Sequence, residues 1–201
     1  MRIKINIQIF AIIVILIITK QIEIYAWLML FALIHELAHM LAGILLKLKP
    51  KMLEIQPFGI QITFESFEHT KIKKIIIAIA GPAINIIIAT IFILIDIQNK
   101  NLIVNSNILL AVFNLIPIYP LDGGRILKLI IQTKISKHKT EDIVNKISNI
   151  LMIIITALSS FLILIYKNIG LLIIIIYLWA IVIKENNRYI LKKRIHNIIN
   201  N

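Results

Sequence analysis

Residues 75–95 run for about six helical turns without one charged side chain. Few folds accept such a segment. A core helix of a soluble domain keeps a polar face, whereas an uninterrupted apolar stretch of roughly 18 residues or more reads as a membrane span. Five further apolar segments accompany it, at 5–19, 24–46, 102–118, 150–166 and 169–183. The first is followed by Lys20 and Gln21 rather than by a small-residue cleavage site, so it reads as a retained helix. Hydrophobic residues make up 59% of the 201 and charged ones 16%. A soluble domain carries roughly 25% charged residues. A soluble enzyme and a disordered chain are thereby excluded. The expected fold is an all-α polytopic bundle of about six transmembrane helices in the lipid bilayer.

The net charge of +12 reads as orientation rather than as a nucleic-acid surface. With the N-terminus cytoplasmic, nineteen of the 22 Lys and Arg fall on the cytoplasmic side. Only Lys20, Lys100 and Lys167 face outward. Both termini are then cytoplasmic. Residues 1–183 form the membrane domain, and residues 184–201 form a basic cytoplasmic tail that reads as a short amphipathic surface helix.

Residues 50–68 are no span. The stretch from Lys51 to Glu65 alternates in part and has Pro57 and Gly59 at its middle. This predicts a short β-hairpin between the second and third helices, held at the interface or in a protein-lined cavity.

The second apolar segment contains His35-Glu36-Leu37-Ala38-His39, an H-E-x-x-H pattern. Residues four apart share a helix face, so the two imidazoles can bind one metal ion, with Glu36 beside them to take a proton from water. The pattern recurs by chance in soluble chains. Inside an apolar run it is costly, since a carboxylate at the bilayer centre costs about 2.5–3.5 kcal/mol on insertion scales. A polar contact between spans is the plainer alternative. The chain has no cysteine, so any further ligand is His, Asp or Glu. His69, His138 and His196 lie outside the apolar segments, and Asp96 lies at the far end of the third helix. His39 lies about 12 Å from the cytoplasmic helix end at Lys47. Asp122 is the carboxylate on that side, in Asn114-Leu-Ile-Pro117-Ile-Tyr-Pro120-Leu-Asp122-Gly-Gly. Two prolines break the helix there, as happens where a chain lines a cavity. A solvated Asp in a helix-ending loop is the alternative. Gly81-Pro82-Ala83-Ile84-Asn85 opens the third span and reads as close helix packing with a buried amide at Asn85.

These three motifs, in this order, resemble the site-2 protease family of intramembrane zinc metalloproteases, over about residues 24–130. The resemblance implies one Zn²⁺ per chain held by His35, His39 and Asp122, with Glu36 as general base. It implies that Pro57 and Gly59 lie in a membrane-reentrant hairpin, and that Asn85, Asn114 and Pro120 shape the site. It implies an endopeptidase that cuts a membrane-tethered protein near the cytoplasmic side, with inhibitory membrane proteins as further partners and no nucleic acid. The short loops and six-span plan are similar to the stage IV sporulation protein FB group, which implies a pro-sigma factor substrate, a role in sporulation, and a bacterial cell membrane or the membrane around a forespore. Many relatives carry a C-terminal nucleotide-sensing domain that the 18 residues after 183 do not provide. A metal-binding transporter or a non-catalytic substrate-binding relative would use the same ligands but would not need Glu36.

Overall fold

The structure is a computed structural model that describes residues 2–5, 22–48, 50–56, 59–64, 71–166 and 169–199. Its elements are β1 (Arg2–Ile5), α1 (Ile22–Leu45), β2 (Pro50–Gln56), β3 (Gly59–Phe64), α2 (Lys71–Leu94), α3 (Lys100–Leu115), α4 (Asp122–Ile131), α5 (Lys137–Tyr166) and α6 (Ile169–Ile199). They divide into two compact units, Met1–Leu115 and Ile116–Asn201.

In the first unit, α1, α2 and α3 pack on one another. The buried residues of α2 are Ile77, Ala78, Gly81, Pro82, Asn85 and Ala89, a stripe repeating every three to four positions. Small residues dominate it, which lets helix backbones approach closely where lipid offers no hydrophobic drive to associate. On α1 the buried stripe is Ala32, His35, His39 and Gly43. Leu33, Leu37, Leu41 and Ile44 stand exposed on the other side, as a lipid-facing surface requires. Helix α1 stops in a Schellman arrangement: Lys47 adopts φ 64, its N–H donates to Ile44 O at 2.8 Å, and Leu48 N–H donates to Gly43 O at 2.9 Å. Leu48 then buries against Ile77, with Ala42 and Leu46 beside it. Strand β2 is central in a three-stranded sheet, parallel to β1 and antiparallel to β3. Leu53 lies opposite Ile62 and Gln56 opposite Gly59, and β3 packs on α1.

In the second unit, α5 packs on α4 and on α6. Thr140, Val144, Ser148 and Met152 make a buried i, i+4 stripe along α5. Trp179 Nε1 donates to Thr156 Oγ1 at 2.9 Å, and Asn186 Nδ2 donates to Asn149 Oδ1 at 2.9 Å, tying α5 to α6.

The described helices number six, but they are not the six apolar segments. Residues 6–21, most of the first segment, lie outside the described residues, and Ile5 ends a strand rather than opening a helix. The fourth segment is a 16-residue helix that stops at Leu115, because Pro117 follows within two residues. Helix α4 is additional. The fifth segment belongs to a 30-residue helix that begins at Lys137, and the sixth continues without a break to Ile199, so the basic tail is no separate surface helix. Three described helices, Glu23–Leu45, Lys71–Leu94 and Lys137–Ile165, are long and apolar enough to cross a membrane. The protein is an integral membrane protein with these three as its candidate spans.

Candidate metal centre

Helical spacing puts His35 and His39 one turn apart on the buried stripe of α1, 3% and 4% exposed. Each ring is anchored through Nδ1. His35 Nδ1 donates to Asn85 Oδ1 at 2.5 Å, and His39 Nδ1 donates to Ile77 O at 2.6 Å. Both acceptors sit on α2. A backbone carbonyl can only accept, so the proton of neutral His39 is on Nδ1 and its Nε2 carries a lone pair. The same holds for His35 while Asn85 presents its oxygen. The two Nε2 atoms lie 3.1 Å apart. Two lone pairs that close repel, unless a cation lies between them. Two imidazoles on one tetrahedral zinc, each about 2.0–2.1 Å from it, place their nitrogens about 3.3 Å apart. The Nδ1-anchored pair therefore fits a metal better than it fits a hydrogen bond.

Gly81 makes room for this. A Cβ there would come within 2.4 Å of His39 Nε2 and 2.5 Å of His35 Nε2. The imidazoles occupy the space that any larger residue of α2 would fill.

Asp122 is the first residue of α4, 4% exposed. A helix N-terminus favours a carboxylate, and Arg125 Nη1 lies 3.6 Å from its Oδ1. The preceding turn is held tightly. Leu121 N–H donates to Ile118 O at 2.8 Å, Tyr119 N–H donates to Ser148 Oγ at 2.9 Å, and the Tyr119–Pro120 peptide is cis. A Cβ on Gly124 would fall 2.4 Å from the backbone of Ile118 and Tyr119, so the loop lies directly on the start of α4. His35 and His39 of the first unit and Asp122 of the second are each buried. Two imidazoles and a carboxylate are a set that zinc takes at three positions, with a fourth left for water.

Among the other residues singled out in the sequence, Glu36 is half-buried on α1 beside His35. Asn85 is fully buried and accepts the hydrogen bond from His35 Nδ1. Asn114 stands in the last turn of α3, with its amide donated to Leu110 O at 3.0 Å. Pro120 is in the loop before Asp122. Gly59 opens β3, and Pro57 lies outside the described residues. Sequence reasoning missed Asn107, a fully buried residue of α3 that accepts a hydrogen bond from Asn85 Nδ2 at 2.8 Å. A carboxamide within an apolar segment was the available signal.

Residues 100–155 match the family model described as Peptidase family M50. Over 115 residues the chain is 33% identical to a "Putative zinc metalloprotease sll0528" of Synechocystis sp., covering 52% of this chain and 30% of that protein. Over 144 residues it is 29% identical to a "Zinc metalloprotease MJ0392" of Methanocaldococcus jannaschii, covering 64% and 42%. The chain thus spans less than half the length of these curated relatives. Among solved structures it is similar to a site-2 protease from Methanocaldococcus jannaschii, with a TM-score of 0.68 and 25% identity over 91% of this chain and 89% of that one. The chain is thus similar, in part of its length, to M50, or site-2 protease, family members. The paired imidazoles of His35 and His39 are consistent with one zinc ion.

Proposed function

We propose that this chain is an intramembrane zinc endopeptidase that cuts a membrane-tethered protein. The observation that carries the reading is the pair of buried Nδ1-anchored imidazoles, with their Nε2 atoms 3.1 Å apart and Glu36 next in sequence. His35, His39 and Asp122 would hold the zinc. When bound, zinc supplies a Lewis acid and a water whose pKa is lowered to about 7. The chain's own residues do the rest. Asn85 Oδ1 and Ile77 O keep both histidines in the tautomer that offers Nε2. Arg125 and the start of α4 place positive charge beside the Asp122 carboxylate. The Glu36 carboxylate accepts the proton of the attacking water and delivers it to the leaving amine. The bilayer supplies no water, so a polar path from the cytoplasmic side must. On this reading the β2–β3 pair lies at the membrane interface and both termini are cytoplasmic. The substrate class taken from the sporulation-protein resemblance is a pro-sigma factor tethered to a bacterial membrane. Its support is motif order and loop length.

The test is Glu36→Gln in the full-length chain, co-expressed with candidate membrane-tethered transcription factors. The change keeps size and hydrogen bonding but cannot accept a proton. Cleavage should fall by about 10²–10⁴-fold, the usual worth of a general base, with zinc content unchanged. Cleavage near the wild-type rate would remove Glu36 from the mechanism.

A further inference from the structure

The two histidines are anchored by different kinds of acceptor. His39 donates to a main-chain carbonyl, Ile77 O, which has one polarity only. His35 donates to a carboxamide, Asn85, which does not. Rotated by half a turn about its last bond, Asn85 would present an NH₂ to His35 at nearly the same place. His35 Nδ1 would then have to accept, its proton would move to Nε2, and the atom needed for a metal would carry a hydrogen. Something must fix which end of Asn85 faces the ring.

The next residue in the chain of bonds does so. Asn85 Nδ2 donates to Asn107 Oδ1 at 2.8 Å, and Asn107 Nδ2 donates to Ile103 O at 2.8 Å, one turn back on α3. Asn85 and Asn107 are both 0% exposed. Ile103 O can only accept, so the NH₂ of Asn107 must face it. The oxygen of Asn107 must then face Asn85, the NH₂ of Asn85 must face Asn107, and the oxygen of Asn85 must face His35. The polarity is set at a backbone carbonyl and passed through two amides to the ring. Reversing it at any link would bury unmatched donors or acceptors, at about 1–3 kcal/mol each.

We infer that Asn107 is a positioning residue for the metal centre: it holds Asn85 with its carbonyl toward His35 and so keeps His35 Nε2 available as a ligand. This rests on the zinc reading above. It adds a residue that touches neither the metal group nor a substrate, on a helix that supplies none of the three ligands.

The experiment measures zinc affinity of the detergent-solubilised full-length chain by competition with a chromophoric chelator. Asn107→Leu keeps the bulk and removes the polarity, and should raise the zinc dissociation constant about 10–100-fold, the usual cost of losing a partner behind a metal-binding histidine. Asn107→Asp should stay within about threefold of wild type. Its carboxyl still offers an oxygen to Asn85 Nδ2, the contact that fixes the amide. The decisive arm is a cycle with Asn85→Asp. A carboxylate presents an oxygen to His35 whichever way it turns, so in that background Asn107→Leu should no longer weaken zinc. Should Asn107→Leu fail to accumulate, Asn107→Ala removes the same acceptor with less strain and carries the same expectation. Equal weakening in both backgrounds would make Asn107 a packing residue, and no weakening in either would sever it from the centre. Either result overturns the inference while leaving the zinc reading intact. Failure of the unaltered chain to bind zinc would overturn the reading itself, and the inference with it.

Discussion

Gly81→Ala sets two effects of opposite sign against each other. Glycine inside a helix costs about 0.5–1 kcal/mol relative to alanine, so propensity alone says the change stabilises. The site says otherwise. The new methyl would lie 2.4 Å from His39 Nε2, 2.5 Å from His35 Nε2 and 2.6 Å from His39 Cε1. An ordinary carbon contact is about 3.5 Å, so both rings must retreat by about 1 Å. Their Nδ1 bonds, now 2.5 and 2.6 Å, would stretch to about 3.5 Å, where no hydrogen bond remains. Two buried bonds lost at about 1–3 kcal/mol each outweigh the helical gain, leaving the zinc-free chain about 1–5 kcal/mol less stable. Metal ligands tolerate only about 0.2 Å of displacement. The zinc dissociation constant should therefore rise at least about 100-fold, equivalent to about 2.8 kcal/mol. Chelator competition and denaturant unfolding of the solubilised chain read the two effects separately. A variant that binds zinc within threefold of wild type and unfolds at higher denaturant would refute the close approach of α2 to the imidazoles.

Asp122→Asn removes a ligand rather than a base, so unlike Glu36→Gln it should lower zinc affinity by more than about 100-fold, beyond the effect of an outer-shell partner; equal zinc content in the two variants would place the third ligand elsewhere. Lys128 Nζ binds Glu141 Oε1 at 2.9 Å, with both side chains mostly buried. Lys128→Met should cost about 2 kcal/mol, a buried-pair figure reduced for the residual exposure of Lys128, and adding Glu141→Gln should restore part of it; additive losses would deny the pairing. Strand β3 is the sheet edge that packs on the histidine-bearing helix. If it takes up an unwound substrate strand, then Ile60→Pro with Ile62→Pro and Gln61→Pro with Thr63→Pro should differ sharply in cleavage at constant zinc content, because prolines in one register remove only outward donors. Equal small effects would leave the sheet a plug.

The parts of the centre that sequence made legible share one cause: their spacing is their geometry. A spacing of four from His35 to His39 is about one helical turn, and the stripe through Ala32 and Gly43 confirms which face is buried. Pro117 and Pro120 announce the break that leaves Asp122 at a helix start. What stayed hidden depends on partners far away in sequence. Asn107 stands near Asn101 and Asn105 in a chain rich in asparagine, and only its contact with Asn85, 22 residues away, sets it apart. The opening turns of α5 hold Lys137, Lys139 and Lys146 and read as a polar loop. Yet Thr140, Val144 and Ser148 beneath those lysines are buried. Strand β1 was hidden because Arg2 and Lys4 look like the charged flank of a span, and nothing local signals that β2 lies alongside.

That pairing has a practical side. Arg2↔Met52 through Ile5↔Ile55 seat the first residues beside β2, and among the described residues the outer side of β1 has no strand next to it. A purification handle joined just ahead of Arg2 would continue straight from an edge strand, and such edges recruit further chains. Self-association seen with a handle there would report the handle, whereas one placed after Asn201 follows the end of a helix and leaves the sheet as it is. Measurements of oligomeric state belong with the second arrangement.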